Sequence, residues 1–365
     1  MISRPDYRAH IASVATAFPS TVVNQDDAID VLTRLFPDER EGRIDSIVRR
    51  SGIERRYISP SLDEVLLPGD FSQRNSTYHN AALRLAESAC RDAIDLSGLD
   101  PEQIDVLIDV SCTGIAIPAL DVSLTPLLGL RSDVRRIPIS ESGCAAGALG
   151  LNVAHSLAEA GKTVLLVAVE LCSLSMCRGD RSRTSLIASI LFGDGAAAVV
   201  IRPEGPGISI ESVRSHLIPN TRDVMGFDIG SHGMRIILER ELPRIVSTEL
   251  PLAVEKFLAD CDRTADDLDL HLVHPGGRKI LEAYEENFCL GAQGLTYSRD
   301  VLSNYGNLSS ASILTVLERA CYDDTVEEGS EALLVAIGPG LSIEMALLNF
   351  GTGVVQSKNT QEALS

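Results

Sequence analysis

One order of secondary-structure elements occurs twice along the chain, and this repeat constrains the fold more than any other feature. The first copy reads HNAALRLAESACRDAIDLSGL, with helical spacing of apolar residues, followed by the short apolar strand IDVLIDVSCTG. The second copy, LPLAVEKFLADCDRTADDLDLHLVHPGG, repeats helix, Asp-rich turn, strand and polar loop. The match continues, because SGCAAGALGLNVAHSLAEAGKTVLLVAVE and YGNLSSASILTVLERACYDDTVEEGSEALLVAIG both run from a glycine turn through a helix to a strand LLVA. The sequence therefore predicts an α/β fold of two similar halves that meet near residues 202–210.

The repeat places polar residues at matching points of the two halves. Cys144 opens the helix of the first half, and Asn307 opens its counterpart in the second half. His274 ends the second-half strand, at the point where Cys112 and Thr113 follow the equivalent first-half strand. Because α/β folds build their sites at strand ends and helix starts, we expect these side chains to converge.

Cys144 has the surroundings expected of a nucleophile. A thiol at a helix N-terminus faces free backbone N–H groups and the positive end of the helix dipole, and both lower its pKa. The small residues after it, AAGALG, leave room for a bulky acyl group to approach the sulfur. The pattern is typical of a cysteine that becomes an acyl thioester. The alternative is a small buried hydrophobe, which is the commoner state of a free cysteine.

His274 and Asn307 have side chains that can stabilise negative charge on oxygen. The imidazole of His274 could hydrogen-bond a carbonyl oxygen or pair with a thiolate. The amide of Asn307 can donate to a developing oxyanion. The alternatives are a capping histidine on the tight turn HPGG and an ordinary turn or N-cap asparagine.

Composition excludes several classes of protein. The chain has 365 residues, of which 45% are hydrophobic, which is ample for a large core. Its net charge of -19 disfavours nucleic acid and anionic membranes as partners. No apolar run approaches the ~20 residues of a membrane span, and MISRPDYRAH lacks the apolar stretch of a signal peptide. The eight cysteines form no CxxC pair, so we expect neither a disulfide framework nor a metal site, and a cytoplasmic location.

Together these segments resemble the type III polyketide synthases, the chalcone-synthase-like branch of the thiolase superfamily. The resemblance covers nearly the whole chain in order: SGIERRYI, SCTGIAIPALD, LLGLRSDVRRIPISESGCAAG, LFGDGAAAVV, GSHGMRIILERELPRIVS, HPGG, YGNLSSAS and IGPGL. It implies a thiolase-like duplicated αβαβα layered fold, with an N-terminal half at 1–205 and a C-terminal half at 206–365. It also implies a homodimer that uses coenzyme A thioesters as substrates and needs no cofactor.

The resemblance assigns a Cys-His-Asn triad to Cys144, His274 and Asn307. It implies that Cys144 takes a starter acyl group from coenzyme A. His274 and Asn307 then hold the thioester carbonyl of malonyl-CoA and stabilise the enolate formed as carbon dioxide leaves. The carbanion attacks the acyl-Cys144 thioester, extension repeats, and the product cyclises and departs.

The resemblance also assigns further positions around this triad. Phe192 matches an aromatic gatekeeper of the coenzyme A tunnel, and the second gatekeeper position holds Ile236, which argues against plant-like aromatic starters. Ile117 matches a residue inserted across the dimer interface. Arg43 and Arg50 align with residues that hold the coenzyme A phosphates, whereas Ser46 departs from that pattern. The remaining positions implied to bind substrate are Cys112, Thr113, Cys172, Ser175, Ser309, Gly338, Pro339 and Gly340.

Within the family, the segments CTGIAIPALD, VELCSLS and MGFDIGSHGMRI resemble bacterial alkylpyrone- and alkylresorcinol-forming enzymes. These imply a medium or long fatty acyl-CoA starter and a pyrone or resorcinol-type product. The alternatives are a malonyl or aromatic starter and a condensing enzyme of the ketoacyl-carrier-protein synthase III kind, whose motifs usually read HQAN and GGG. A catalytically dead subunit with the same fold is disfavoured by the intact triad, and a degradative thiolase by the lack of a second active cysteine in IGPGLS.

Overall fold

A computed structural model describes residues 7–66, 70–175, 179–230, 233–291 and 294–351. The strands of the described residues are β1 (His10–Ala17), β2 (Thr21–Asn24), β3 (Arg55–Ile58), β4 (Val106–Val110), β5 (Arg135–Ile139), β6 (Val164–Leu171), β7 (Asp194–Arg202), β8 (Ile208–Leu217), β9 (Met225–Gly230), β10 (Gly233–Leu238), β11 (Leu270–Val273), β12 (Glu331–Gly338) and β13 (Ser342–Phe350). The helices are α1 (Gln25–Leu35), α2 (Arg43–Arg49), α3 (Leu62–Leu66), α4 (Phe71–Ser97), α5 (Leu120–Leu127), α6 (Ala146–Glu159), α7 (Cys172–Ser175), α8 (Arg183–Leu191), α9 (Leu242–Ala259), α10 (Arg278–Asn287), α11 (Thr296–Tyr305) and α12 (Ala311–Cys321).

The main sheet repeats one pairing pattern in its two halves. Its strand order is β11-β12-β13-β8-β1-β7-β6-β4-β5. The parallel pair β4–β6 corresponds to β11–β12, and the antiparallel pairs β6–β7 and β7–β1 correspond to β12–β13 and β13–β8. Among the described strands, the halves are joined in the sheet by the short pairing of β1 with β8, and the edge strand β5 has no counterpart. The two pseudo-symmetric halves that the sequence predicts are therefore confirmed.

The boundary between the halves stays a prediction. The division at residues 205 and 206 falls in the loop between β7 and β8, which end and begin at Arg202 and Ile208. The end of the second half, from residue 352 onward, lies outside the described residues.

Five layers follow from strands that are buried on both faces. On β4, Ile108 and Val110 point into a central core shared with α6 and α12, while Leu107 points into an outer core with α4. On β12, Leu334 faces the same central core and Val335 faces an outer core with α9 and α10. Because both faces are covered, these strands read as continuous apolar runs rather than alternating ones. The arrangement is the αβαβα layering expected from the sequence.

The two central helices, α6 and α12, approach each other without a side chain between their first turns. A Cβ atom on Gly147, in the first turn of α6, would overlap the carbonyl oxygen of Ser310, the N-cap of α12. It would also lie 3.1 Å from a methyl carbon of Ile313. The small residues that follow each glycine turn in the sequence are therefore needed for this close packing.

We expect Gly147→Ala to destabilise the protein, because the added methyl meets backbone that cannot move without separating the halves. Overpacking of this kind costs about 1–3 kcal/mol in the free energy of unfolding, which chemical denaturation measures. The matched control is Gly291→Ala, since a Cβ there meets nothing within 4 Å. Equal stability of the two variants would contradict the packing argument.

Candidate active site

Cys144 lies in a tight turn that leads into the central helix. The turn is a single 3-10 helix at Gly143–Ala145, and α6 begins only at Ala146. The sequence predicts that Cys144 opens the helix itself; in the structure it lies two residues earlier. Gly143 has φ +51, which is the left-handed region that favours glycine.

The Gly338-Pro339-Gly340 turn packs against the turn that carries Cys144. A Cβ on Gly338 would lie 2.6 Å from the Ala145 side chain, and a Cβ on Gly143 would lie 2.6 Å from Cδ of Pro339. Pro339 also lines the cavity described below. The predicted substrate-binding role is thus consistent with the position of Pro339, whereas Gly338 supports the turn and the Gly340 carbonyl accepts a hydrogen bond from Thr221, 2.7 Å away.

The thiol of Cys144 is partly buried among hydrogen-bonding groups. Burial raises the pKa of Cys144 to about 11, against the hydrogen bonds to Ser309 and Asn307 that lower it. The Cys144 Sγ donates to Ser309 Oγ over 3.6 Å. The expectation of a lowered pKa is therefore wrong, because loss of water outweighs the favourable bonds around the sulfur.

Asn307 is held so that its amide nitrogen points to Cys144. Its Oδ1 accepts hydrogen bonds from the backbone N–H of Ser309 at 2.8 Å and from the hydroxyl of Ser312 at 3.3 Å. Since the oxygen is used in this way, the NH₂ group is left to donate. That group hydrogen-bonds Cys144, and the bond lowers the pKa of the thiol.

His274 follows β11 and is fixed by its backbone. Its N–H donates to the carbonyl of Val335, 2.8 Å away, and its side chain is 5% exposed. Burial lowers the pKa of His274 to about 4, so the ring is neutral at physiological pH. Its Nδ1 is buried and has no hydrogen-bond partner among the described residues. A neutral imidazole can accept one proton and donate another, which suits either role predicted for it.

A cavity opens beside Cys144, with walls from both halves of the chain. Most of the predicted substrate-binding residues line it, as do several that the sequence reasoning missed. Its predicted lining residues are Cys112, Thr113, Cys144, Cys172, Ser175, Phe192, Ile236, Ser309 and Pro339. Those not predicted are Gly143, Asp180, Ser185, Ala188, Met225, Gly226, Phe227, Met234 and Leu238.

The hairpin of β9 and β10 forms the apolar wall of this cavity. Met225 and Phe227 lie two residues apart on β9, and Met234, Ile236 and Leu238 follow the same spacing on β10. Residues two apart on a strand share a face, so MGFDIG and GMRIIL carried a signal for this wall that spacing alone could have revealed.

Glu170, also missed by the sequence analysis, binds the segment that carries Cys112 and Thr113. This fully buried carboxylate at the end of the apolar strand β6 accepts hydrogen bonds from the Thr113 hydroxyl at 2.7 Å and the Cys112 backbone N–H at 3.1 Å. It also accepts one from the hydroxyl of Ser310. A charged residue inside an apolar strand was the available signal, because glutamate is rarely buried without partners.

Cys112 and Cys144 contact the same hydroxyl. The Cys112 Sγ lies 3.4 Å from Ser309 Oγ, which also accepts from Cys144. Burial and the nearby Glu170 carboxylate raise the pKa of Cys112 well above its ordinary value. Cys112 is therefore a neutral thiol that shares the Ser309 hydroxyl with Cys144.

Seven predicted site residues do not line the cavity: four described above, His274, Asn307, Gly338 and Gly340, and three more, Arg43, Arg50 and Ile117. Arg43 pairs with Glu39 at 2.7 Å, and Arg50 donates to the backbone carbonyl of Ser46 at 3.0 Å. Ile117 is 94% exposed on the loop before α5. None of the three lines the cavity beside Cys144.

Two further searches cover only the described ranges. No helix in them is long and apolar enough to cross a bilayer. No group of three or more His, Cys, Asp or Glu side chains in them is arranged to hold a metal ion.

We expect Ser309→Ala to slow alkylation of Cys144, because it removes a hydrogen bond that lowers the pKa of this thiol. At pH 8 the iodoacetamide rate, followed on the Cys144 peptide by mass spectrometry, should fall roughly two- to tenfold. Ser175→Ala is the control, since its hydroxyl donates instead to the Cys172 carbonyl at 2.9 Å. An unchanged rate in Ser309→Ala would remove this hydroxyl from control of the thiol.

Comparison with known proteins gives a consistent family. The family models for the N-terminal and C-terminal domains of chalcone and stilbene synthases match residues 2–205 and 209–350. A 1,3,6,8-tetrahydroxynaphthalene synthase of Streptomyces peucetius subsp. caesius is 36% identical, with 94% of each chain covered. The alpha-pyrone synthesis polyketide synthase-like Pks18 of Mycobacterium tuberculosis is 31% identical, over 94% of this chain and 92% of that protein.

The fold agrees with a solved structure of the same family. The crystal structure of 1,3,6,8-tetrahydroxynaphthalene synthase from Streptomyces coelicolor A3(2), a bacterial type III polyketide synthase, matches with a TM-score of 0.90 and 32% identity. The match covers 94% of this chain and 100% of that chain. The chain therefore belongs to the chalcone and stilbene synthase family, the type III polyketide synthases, which use coenzyme A thioesters as substrates and need no cofactor.

Proposed function

We propose that the enzyme loads a medium or long fatty acyl group from coenzyme A onto Cys144 and extends it with malonyl-CoA. The extended chain then cyclises to a pyrone or resorcinol-type product. The observation that carries this proposal is the apolar wall of β9 and β10, which runs along the cavity beside Cys144. A polar or very short starter would leave these apolar side chains without an apolar group to contact.

The proposed chemistry uses the three side chains in turn. The sulfur of Cys144 attacks the starter thioester, neutral His274 accepts the thiol proton, and coenzyme A leaves as its thiol with that proton. Malonyl-CoA then loses carbon dioxide, and the amide of Asn307 and the imidazole N–H donate to the enolate oxygen. The α-carbon attacks the acyl thioester, so that a carbon–carbon bond forms and the carbon–sulfur bond to Cys144 breaks. The released thiolate takes a proton from solvent.

Cys144 and His274 are both neutral before the starter binds, and this supports transfer of the thiol proton to the imidazole during loading. Burial raises the pKa of Cys144 and lowers the pKa of His274, so each charge is disfavoured on its own. Transfer of one proton between them creates two opposite charges together, which attract each other strongly in a buried site. A neutral imidazole can also donate to an enolate without quenching it as a strong acid would.

A fatty starter fits the chemistry of the walls. Each buried methylene contributes roughly 0.8 kcal/mol, so an alkyl chain gains affinity along an apolar surface. Met225, Phe227, Met234, Ile236 and Leu238 provide that surface. The name of the mycobacterial relative, which refers to α-pyrone synthesis, is consistent with one of the proposed products.

A second candidate is a product without an alkyl chain. The names of two relatives, 1,3,6,8-tetrahydroxynaphthalene synthase at 36% identity and phloroglucinol synthase of Pseudomonas fluorescens at 30%, describe hydroxylated rings of that kind. The thiol of Cys112 and the hydroxyls of Thr113 and Ser309 would then contact a polar intermediate. This alternative requires a starter as small as malonyl.

We also propose that the protein is a cytoplasmic homodimer. Ile115 and Ile117 on the loop before α5, and Val122 and Leu127 on α5, are exposed apolar residues. The helix α5 contacts the edge strand β5 through the ion pair of Asp121 with Arg136 at 3.3 Å. Exposed apolar patches and unpaired edge strands are commonly covered by a partner, here a second copy. Arg43 and Arg50 remain the proposed contacts of the coenzyme A phosphates, as cations on an otherwise acidic protein.

We expect kcat/KM to rise with starter length in a series of acyl-CoAs from acetyl to palmitoyl, until the cavity is filled. The reason is the apolar wall, which rewards each added methylene. Products are identified by mass spectrometry with malonyl-CoA as extender, and the acyl adduct is mapped to Cys144 after digestion. An optimum at malonyl-, acetyl- or aromatic acyl-CoA would reject the fatty starter and leave the type III synthase family intact.

Ser175→Phe should shift the preferred starter toward shorter chains. Its side chain lines the cavity, and a phenyl ring would fill space that the acyl chain needs. The measurement is the ratio of kcat/KM for a long and a short acyl-CoA, which should fall at least tenfold. Thr248→Phe, on the exposed face of α9, is the control. A parallel loss for all starters would indicate general damage instead of chain-length selection.

A further inference from the structure

Arg56 is a buried cation without a carboxylate partner in the described part of the chain. Its side chain on β3 is 4% exposed, and the ion pairs found among the described residues do not include it. Burial lowers the pKa of Arg56 to about 10, so the guanidinium remains charged at neutral pH. A buried charge is costly unless nearby groups compensate it. The groups that hydrogen-bond the Arg56 guanidinium therefore indicate what holds this charge in place.

The Arg56 guanidinium hydrogen-bonds the C-terminal end of α8. Its Nη1 donates to the carbonyl of Ser189 at 3.0 Å and also to the carbonyl of Ile190. These two carbonyls belong to the last turn of α8, where helix carbonyls point beyond the end of the helix. A cation at this end also faces the negative end of the helix dipole.

The next carbonyl of α8 is used by Asn307. The Asn307 backbone N–H donates to the carbonyl of Leu191 at 2.8 Å, and its own carbonyl accepts from the N–H of Gly193 at 3.0 Å. Phe192, between those two residues, lines the cavity. Of the last three carbonyls of α8, Arg56 therefore binds the first two, and the backbone N–H of Asn307 binds the third.

The strand β3 at Arg56, the end of α8 and the turn before Asn307 are closely packed. A Cβ on Gly193 would overlap the Tyr305 carbonyl and lie 3.4 Å from Cβ of Arg56. A Cβ on Gly306 would lie 2.8 Å from the Leu191 carbonyl and 3.8 Å from Cβ of Arg56. A shift of the α8 end would therefore be transmitted directly to Asn307.

We propose that Arg56 is a positioning residue for the decarboxylation step: by holding the end of α8, it fixes the backbone of Asn307 and the place of Phe192. This inference rests on the proposed role of Asn307. Arg56 itself touches no reacting atom. Its effect should fall on the step that needs the Asn307 amide and spare the loading of Cys144.

The test measures two half-reactions in the full-length protein. Loading is the stoichiometric acylation of Cys144 by an acyl-CoA, read by intact mass. Decarboxylation is the conversion of malonyl-CoA and a proton to acetyl-CoA and carbon dioxide. We expect Arg56→Met to lower decarboxylation by about 10- to 100-fold with loading retained, because displacements of about 1 Å at a reacting centre cost up to 10²-fold. Arg56→Lys, which keeps a cationic donor, should recover part of that loss.

Arg202→Met is the matched control. Arg202 is also partly buried, its pKa is lowered by burial, and it donates to a backbone carbonyl, that of Pro206. It lies at the far end of β7, about 26 Å along the strand from Asp194. Both half-reactions should keep their wild-type ratio in this variant.

The outcomes separate the inference from the function on which it rests. A folded Arg56→Met with the wild-type ratio of decarboxylation to loading would overturn the role of Arg56. If thermal denaturation shows that Arg56→Met does not fold, Arg56→Lys decides by the same ratio. Proportional loss of both half-reactions would mean a merely structural role. Wild-type decarboxylation in Asn307→Ala would instead refute the proposed role of Asn307.

Discussion

The site depends on the close contact between the first turns of α6 and α12. Gly147 allows the Ser310 backbone to approach, and this contact brings the turn of Cys144 next to the turn of Asn307. Each helix belongs to one half, and each packs on strands of both halves. Cys144 and Asn307 are thus placed by the pseudo-symmetry of the fold, and a bulky side chain at that contact would separate them.

The sequence predicted this geometry where a local pattern determined it. The repeat of helix, strand and glycine turn indicated that Cys144 and Asn307 would meet, and they do. The pKa of Cys144 was predicted with the wrong sign, because burial depends on which segments cover the thiol and no local pattern reports that. Arg56 was missed for the same reason, since the carbonyl of Ser189 lies 133 residues away in the chain. Glu170 had a local signal in its apolar strand, but its partner Thr113, 57 residues away, had none.

Buried polar groups around the site are paired mainly with backbone and hydroxyl groups. Glu170 is bound by Thr113 and Ser310, and Arg56 is bound by helix carbonyls. Burial raises the pKa of Glu170, and the hydrogen bonds that it accepts lower it. The dipoles around Glu170 and Arg56 hold both side chains in place without a countercharge. In the proposed mechanism, the proton of the Cys144 thiol passes to the imidazole of His274.

Scaffold and selectivity are carried by different parts of the molecule. Relatives named for a naphthalene, a phloroglucinol and an α-pyrone align over at least 90% of this chain, so the layered core does not determine the product. The β9–β10 hairpin pairs only with itself in a two-stranded sheet outside the main sheet. Its cavity-facing side chains can therefore change without disturbing the contact of α6 and α12. We infer that differences in starter and product are best sought on that face, because the proposed acyl chain would contact these side chains directly.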